Sequence, residues 1–173
     1  MKILVTAFKP FNNFEKNYSM EVLKYVKAVD KEILDVVYDD CYYELKSKYK
    51  LDDYDLIIAT GEARSRDKVT LETQAVNISS CSLYDNNNIL KINEVILKDE
   101  ENILYTEVDL TKIKERVTLS DDAGKFVCNN IYFHLLSEYP SKSLFIHVPN
   151  CNDMVEKYRD CARIINEIID CFI

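Results

Sequence analysis

A cysteine and a histidine in the second half of the chain have the types and positions that nucleophilic catalysis requires. Apolar residues recur at helical spacing from residue 127 onward, and the Ala123-Gly124 pair before them is typical of a turn. Cys128 is therefore predicted to lie at a helix N-terminus, where the dipole favours a thiolate and free N–H groups can stabilise an oxyanion. His147 ends a strand-like run. A thiol and an imidazole at such ends are the arrangement of a cysteine hydrolase.

Both residues also have an ordinary structural interpretation. A cysteine within a helix is commonly a small buried hydrophobe. A histidine near a strand end is commonly a hydrogen-bonded core or surface residue. Catalysis requires the two to be adjacent in space, which their separation in the sequence does not establish. These residues alone leave both interpretations open.

Length and composition favour one globular domain over residues 1–173. The chain has 173 residues and is 47% hydrophobic, which is enough for a sizeable core. The formal net charge is −8, and Lys and Arg form no dense cluster. We therefore expect no nucleic-acid partner, and we interpret the acidic balance as an aid to solubility.

Targeting, metal and cofactor signals are weak. Met1-Lys2 leads directly into a strand-like run, and the apolar stretches are shorter than the ~18 residues of a membrane span. We therefore expect no membrane partner and a cytoplasmic location. The six cysteines form no Cys-x-x-Cys, and only two histidines accompany them, so we expect reduced thiols and no metal site. With two glycines and no phosphate-binding loop, no cofactor is expected.

Apolar patterning predicts strands that alternate with helices. Strands are predicted over 2–8, 33–38, 55–60 and 144–148, and helices over 19–29, 40–50 and 152–172; the first helix is expected to have Ser19 as its N-cap and Val29 on its apolar face. Residues 67–119 are predicted to be β-rich with a short helix near 110–116. This order predicts an α/β fold, a three-layer α/β/α sandwich with a mixed, largely parallel central sheet. Ligands bind at the carboxyl ends of such strands.

Several segments together resemble the pyroglutamyl peptidase I family (pyrrolidone carboxyl peptidases). Residues 123–129, Ala-Gly-Lys-Phe-Val-Cys-Asn, are similar to its cysteine motif, and residues 145–149, Phe-Ile-His-Val-Pro, to its histidine motif. Residues 3–11 resemble its opening strand and Phe-x-Pro-Phe loop, and residues 61–77 the segment with its acidic residue. The cysteine and histidine motifs together are specific, and the matches run in order from residue 3 to residue 149.

The resemblance implies a catalytic triad and a reaction. The nucleophile falls on Cys128, the general base on His147, and the acid that orients the imidazole on Glu72. With its histidine partner and helix N-terminus, Cys128 is expected to have a lowered pKa. The implied activity is that of a cysteine peptidase that removes an N-terminal pyroglutamyl residue from a peptide. The resemblance also implies a homo-oligomer, a tetramer in many family members.

The resemblance further implies a pocket for the pyroglutamyl ring. Its apolar lining falls on Phe8, Phe11, Leu83, Phe126, Val127 and Ile131. Glu62 occupies a position that is glutamine in the family and faces the bound lactam. A carboxylate there can accept a hydrogen bond but cannot donate one to a carbonyl.

Departures from the family lie in its recognition loops. Asn12-Asn13 replaces a Gly-Gly pair, and asparagine tolerates the left-handed backbone that such a pair can adopt. Arg64 replaces a glycine, and arginine does not tolerate a left-handed backbone without strain. The loop over 61–66 is therefore expected to follow a different path. Ser82 replaces an arginine of the oxyanion site. The alternative is therefore a relative with altered specificity or little activity, which binds or hydrolyses another small amide.

Overall fold

A computed structural model describes residues 1–27 and 30–173. Within these ranges the main elements follow one another along the chain as β1 (Ile3–Phe8), α1 (Tyr18–Leu23), β2 (Asp30–Leu34), α2 (Asp40–Lys48), β3 (Leu56–Glu62), β4 (Thr70–Glu72), β5 (Gln74–Val76), β6 (Ile103–Tyr105), β7 (Thr118–Ser120), α3 (Val127–Glu138), β8 (Ser143–Val148) and α4 (Val155–Asp170). Short 3₁₀ turns occupy Leu51–Asp53 and Leu110–Lys112. None of the helices in the described ranges combines the length and the apolarity needed to cross a membrane.

A six-stranded sheet in the order β2-β1-β3-β8-β4-β7 forms the centre of the molecule. All neighbouring strands are parallel except β4 and β8, which are antiparallel. Strands β1, β3 and β8 are near-continuous apolar runs, as expected for parallel strands that are covered on both faces. A separate antiparallel pair joins β5 to β6.

Helices cover both faces of the sheet. Successive side chains of a strand point to opposite faces, so Val5 and Ala7 of β1 belong to one apolar core, and Leu4 and Phe8 to the other. Helices α1 and α4 contribute to the first core, and α2 and α3 to the second. The predicted three-layer sandwich with a mixed, largely parallel sheet is confirmed.

Several element boundaries differ from the sequence predictions. Helix α1 ends at Leu23, short of the predicted residue 29. Helix α1 is capped by Asn17, whose side chain accepts from Ser19 N at 3.0 Å; the Ser19 hydroxyl instead accepts from Phe8 N. The predicted apolar position Val29 lies outside the described residues. Strand β2 spans Asp30–Leu34 instead of the predicted 33–38, because its parallel register with β1 runs from Asp30 to Leu34. The predicted short helix near 110–116 is the 3₁₀ turn over 110–112.

The carboxyl ends of β1, β3 and β8 lie side by side at one edge of the sheet, because these strands are parallel neighbours. The loop after β1 turns through Asn12 (φ 49°) and Asn13 (φ 62°), which confirms the expected left-handed backbone at both residues. Arg64 is outside the set of left-handed residues, so it occupies its glycine position without that strain.

Candidate active site

Cys128 is the second residue of α3, directly after the N-cap residue Phe126 and Val127. The expected turn precedes it, since Gly124 has a φ of 75° and its N–H donates to Asp122 Oδ1 at 2.9 Å. The thiol therefore lies at the end of the helix where backbone N–H groups have no helical partner.

Cys128 and His147 line the same cavity, although they come from different elements. The cavity has a volume of about 130 Å³ and lies at the carboxyl edge of the sheet. Among the residues predicted to bind substrate, its walls include Phe8, Phe11, Glu62, Phe126 and Val127. In the part of the chain that the structure describes, no hydrogen bond joins the Cys128 sulfur to the imidazole of His147, whose hydrogen-bond partner is Glu72.

Gly61 makes room for the thiol. A Cβ atom built at Gly61 would lie 2.5 Å from Cys128 Sγ and 3.1 Å from Phe145 Cζ. Since non-bonded carbon and sulfur atoms do not approach that closely, only glycine allows β3 to pass beneath the sulfur. This role of Gly61 was not predicted from the sequence; the available signal was that Gly61 is one of two glycines in the chain and ends a buried strand.

Glu72 pairs with His147 across neighbouring antiparallel strands. Strand β4 pairs with β8, with Thr70 opposite His147, and His147 Nδ1 lies 2.7 Å from Glu72 Oε1. An ionised carboxylate only accepts hydrogen bonds, so Nδ1 carries the proton and Nε2 is the free basic nitrogen. The backbone of Glu72 is held in turn, because the Tyr132 hydroxyl donates to its carbonyl oxygen at 2.9 Å.

Arg66 supports the same carboxylate, a contact that sequence analysis missed. Its guanidinium donates to Glu72 Oε1 at 2.5 Å and to the Asp122 carbonyl, and it contacts the Thr70 hydroxyl. A basic residue shortly before the acid in the chain was the only signal. Glu72 is fully buried, so this arginine supplies charge compensation that water cannot.

The pKa values of the pair keep glutamate charged and histidine neutral. Burial raises the pKa of Glu72, but the hydrogen bond from His147 and the charges of His147 and Arg66 hold it below its usual value. Burial lowers the pKa of His147 by more than the hydrogen bond and charge of Glu72 raise it. The imidazole is therefore neutral at pH 7 and available as a base.

The expected lowered pKa of Cys128 is wrong. Burial raises the pKa of the thiol to about 12, and the charges of Glu62 and Glu72 add to this; Arg66 and a backbone N–H oppose it only in part. The helix N-terminus was predicted correctly, but its influence is smaller than the cost of placing an anion in a buried site with two carboxylates. In this state Cys128 is a neutral thiol.

Glu62 lines the cavity as half of an ion pair. Its Oε2 accepts from Tyr18 N at 2.8 Å, and its Oε1 accepts from Arg64 Nε at 3.0 Å. The guanidinium of Arg64 also stacks on the rings of Phe14, at 3.8 Å, and Tyr18. Both carboxylate oxygens of Glu62 thus have partners within the protein, and the Arg64 guanidinium compensates the negative charge.

Aromatic rings form the outer wall. Phe11 and Phe126 have ring centroids 5.7 Å apart, and Tyr38 packs edge-on against Phe126 at 5.4 Å. Phe11 and Phe126 are both half-buried, whereas Phe8 is buried at the base of the cavity. These rings give the cavity a predominantly apolar surface beside the thiol.

Two predicted lining residues lie elsewhere. Ile131 is fully buried in the core, because it follows Val127 by one helical turn and is directed at the sheet. Leu83 lines a neighbouring open cleft together with Phe11 and Ser82. The structure does not bring either Leu83 or Ile131 to the cavity of Cys128. Among the described residues, no group of three or more His, Cys, Asp or Glu side chains is placed to hold a metal ion.

The chain is similar in sequence to known proteins of one family. A family sequence model described as pyroglutamyl peptidase matches residues 1–165. The chain is 32% identical to a pyrrolidone-carboxylate peptidase from Brachyspira hyodysenteriae, over 90% of this chain and 86% of that protein. It is 31% identical to one from Staphylococcus carnosus, over 86% of this chain and 78% of that protein.

Solved structures show the same fold. The pyrrolidone carboxyl peptidase from Thermococcus litoralis superposes with a TM-score of 0.87 at 25% identity, covering 98% of this chain and 92% of that one. The pyroglutamyl peptidase I from Bacillus amyloliquefaciens superposes with a TM-score of 0.86 at 22% identity, covering 99% and 95%.

Proposed function

Because this chain belongs to the pyroglutamyl peptidase family, we propose that it is a cysteine peptidase that hydrolyses the amide bond after an N-terminal pyroglutamyl residue. Family membership supports the peptidase activity. The observation that carries the cysteine mechanism is one cavity lined by both Cys128 and His147, with Glu72 bonded to the far nitrogen of the imidazole.

In the proposed mechanism the thiol is deprotonated as it attacks. His147 Nε2 takes the proton of Cys128 while the sulfur adds to the amide carbon, because the raised pKa of the thiol disfavours a thiolate before substrate binds. Glu72 keeps the proton on Nδ1 and stabilises the imidazolium that forms. Free N–H groups at the start of α3 face the oxygen that becomes negative.

Collapse of the tetrahedral intermediate breaks the C–N bond. The imidazolium of His147 gives its proton to the leaving amine, which departs as the shortened peptide, and a thioester remains on Cys128. Water then adds to the thioester with His147 as base. The thiol leaves with the proton from His147, and pyroglutamic acid is released.

Cavity size and lining support a small ring as ligand. A cavity of about 150 Å³ is known to accept a benzene molecule, and this one measures about 130 Å³. It is smaller than the roughly 300–1,000 Å³ of sites for drug-sized ligands. A five-membered lactam matches both its volume and its aromatic walls, with the rest of a peptide extending into solvent.

One feature favours the alternative of altered specificity. The Glu62–Arg64 pair places a compensated charge at the cavity wall, where a lactam would meet a carboxylate already occupied by Tyr18 N and Arg64. Weak hydrolysis of pyroglutamyl amides, with preference for ligands that present N–H donors at this wall, is the second candidate. Both candidates act on a small peptide or amide. We further propose a homotetramer, which the family resemblance implies, and a cytoplasmic location, which the sequence predicts.

Hydrolysis of chromogenic amides tests the proposal. We expect the pyroglutamyl amide to give the highest kcat/KM in a panel with prolyl, glutaminyl and alanyl amides. The prolyl amide is the matched control, because it keeps the five-membered ring without the lactam carbonyl. Faster cleavage of the prolyl or glutaminyl amide would support the second candidate, and no cleavage of any amide would contradict both.

A further inference from the structure

Two neighbouring cysteines lie on the opposite face of the sheet from Cys128. Cys151 follows β8 and Cys161 lies in α4, and their sulfur atoms are 4.0 Å apart. Both are free thiols in the core packed beneath α1 and α4. The mechanism proposed above uses neither of them.

A cavity separate from that of Cys128 adjoins this pair. Cys151 and Cys161 line a space of about 260 Å³ between the loop after β8 and helix α4, and Pro149, Lys157 and Asp160 lie on its rim. Cys161 is 5% exposed and Cys151 is fully buried, so a small oxidant that enters this cavity approaches the pair from the side of Cys161. Cys41 is buried in the opposite core, away from this cavity.

The two thiols differ in acidity. The hydrogen bond from Cys161 lowers the pKa of Cys151, and the charge of Lys157 adds to this, against burial and the charges of Glu62 and Asp153. Cys128 has a raised pKa instead. Because the thiolate is the form that reacts with peroxides, Cys151 is the better nucleophile of the two sites.

The loop with Cys151 is connected to the candidate active site. Cys151 lies four residues after His147, and the intervening Asn150 donates its N–H to the carbonyl oxygen of Arg66 at 3.2 Å. Arg66 in turn holds Glu72, the partner of the imidazole. A displacement of this loop therefore acts on His147 along the chain and on Glu72 through Arg66.

We propose that Cys151 and Cys161 form a redox-active dithiol, which peroxide closes to a disulfide, and that closure displaces His147 from its present position. A disulfide requires a sulfur separation of about 2.05 Å, so the two sulfur atoms must approach each other by about 2 Å. Cys161 is fixed within the hydrogen-bonded turns of α4, whereas Cys151 lies in the loop after β8, so we assign the approach to that loop.

The reaction balances with peroxide as the oxidant. The thiolate of Cys151 attacks one peroxide oxygen, breaks the O–O bond and becomes a sulfenic acid, and the other oxygen leaves as water. Cys161 attacks that sulfur, the S–S bond forms, and the hydroxyl leaves as a second water. The two thiols lose two electrons and two protons to the peroxide. Reduction by dithiothreitol reverses the modification.

Peptide mapping tests the bond directly. Trypsin separates Cys128 (residues 126–142), Cys151 (143–157), Cys161 (160–163) and Cys171 (164–173) into four peptides. After one equivalent of hydrogen peroxide, we expect peptide 143–157 linked to 160–163, with peptide 126–142 unmodified. Cys161→Ser should abolish the link, and Cys171→Ser is the matched control that keeps it. Modification of Cys128 first, or no linked pair in the unaltered chain, overturns the proposal.

Displacement of His147 is measured without reference to activity. The chain has two histidines, so the imidazole C–H region of the NMR spectrum contains two assignable environments. Oxidation should move the His147 signal, leave that of His134 in place, and be reversed by dithiothreitol. A linked pair with an unmoved His147 signal overturns the proposal. If the proposed peptidase function holds, the same oxidation lowers hydrolysis reversibly; a failure of that function leaves the mapping and the NMR result intact.

Discussion

Two histidine–carboxylate pairs occur in this protein, and helix α3 contributes to the surroundings of both. At one end His147 Nδ1 meets Glu72 Oε1 at 2.7 Å beside Cys128, the second residue of the helix. Further along, His134 Nε2 meets Asp39 Oδ1 at 2.9 Å. The distances and the partners are nearly the same, so the pair by itself does not distinguish a catalytic site from a structural one.

In the second pair, neighbouring side chains occupy the hydrogen-bonding oxygens of Asp39 and one face of the His134 ring. Asp39 accepts from Lys91 at 2.6 Å and from Asn130 at 2.9 Å, and the imidazole of His134 stacks on Tyr42 with ring centroids 4.9 Å apart. Burial raises the pKa of Asp39, but these hydrogen bonds and the charge of Lys91 hold it far below its usual range. The result is a rigid link between α2 and α3.

The first pair has an unused nitrogen and a neighbouring thiol. Glu72 takes one nitrogen of His147, and the ring lines a cavity that also contains the sulfur of Cys128. In both regions a cation assists the carboxylate, Arg66 at Glu72 and Lys91 at Asp39. What separates the two regions is a cavity beside the thiol of Cys128, and matched substitutions in each region measure that difference.

The largest expected effect is that of Cys128→Ser. A hydroxyl is far less acidic than a thiol and His147 is a weak base, so kcat/KM for a pyroglutamyl amide should fall at least about 10⁴-fold. Cys41→Ser alters the buried thiol near Asp39 and should leave kcat/KM of the folded protein within about twofold. Equal losses in the two variants would contradict the assignment of the nucleophile.

Glu72→Gln and Asp39→Asn compare the two carboxylates. An amide at position 72 can donate to Nδ1 and stabilise the wrong tautomer, so kcat/KM should fall roughly 10³-fold. Asp39→Asn should leave kcat/KM nearly unchanged. The outcome that would break the comparison is an Asp39→Asn variant, shown to be folded by circular dichroism, that loses as much activity as Glu72→Gln.

Asp39→Asn should act on stability instead. Loss of charge-assisted hydrogen bonds from His134 and Lys91 is expected to lower the free energy of unfolding by about 1–3 kcal/mol at pH 7. Since the folded-state pKa of Asp39 lies below its ordinary 3.8, this stabilisation is present above that value and is lost as the pH falls through the folded pKa. Urea denaturation of both proteins should therefore converge towards acid pH; a constant difference would contradict the pairing.

Phe11→Ala tests the open wall of the first region. Loss of one aromatic contact should raise KM for an uncharged ring by an amount equivalent to roughly 1–3 kcal/mol. Tyr43→Ala, which removes a ring packed against His134, is the matched control and should leave KM unchanged. An unchanged KM and kcat in Phe11→Ala would show that Phe11 does not contact the substrate.

Glu62→Gln should have the smallest effect and the clearest sign. The charge of Glu62 raises the pKa of Cys128, so its removal should lower that pKa and increase the thiolate fraction at a given pH. Alkylation of Cys128 by iodoacetamide at pH 8 should become faster, by up to about tenfold for one pKa unit. Asp39→Asn should leave that rate unchanged, and a slower rate in Glu62→Gln would reverse the electrostatic argument.

Local features of this site were predictable from the sequence. Turn residues and helical spacing placed Cys128 at a helix N-terminus, and apolar runs identified β1, β3 and β8. Asn12 and Asn13 were expected to have left-handed backbone because few other residues tolerate it. Each of these depends on neighbours along the chain, where sequence and geometry are directly related.

Placement within the cavity was less predictable. Ile131 shares a helix face with Val127, yet one turn of helix carries it from the cavity into the core. Leu83 lies on a loop whose path depends on what it packs against. The start of β2 at Asp30 follows from its register with β1, which residues 33–38 do not encode by themselves.

The sequence by itself determined which residues could do the chemistry, since residue types and their local elements are properties of short segments. Tertiary structure alone decided the electrostatics of these residues and which other side chains pack around them. Arg66 reaches the carboxylate of Glu72, and the pKa of Cys128 rises instead of falling, because burial and charge depend on every group that packs nearby. The antiparallel step from β8 to β4 decided that Glu72 would pair with His147, because only the sheet sets strands that are distant in sequence side by side.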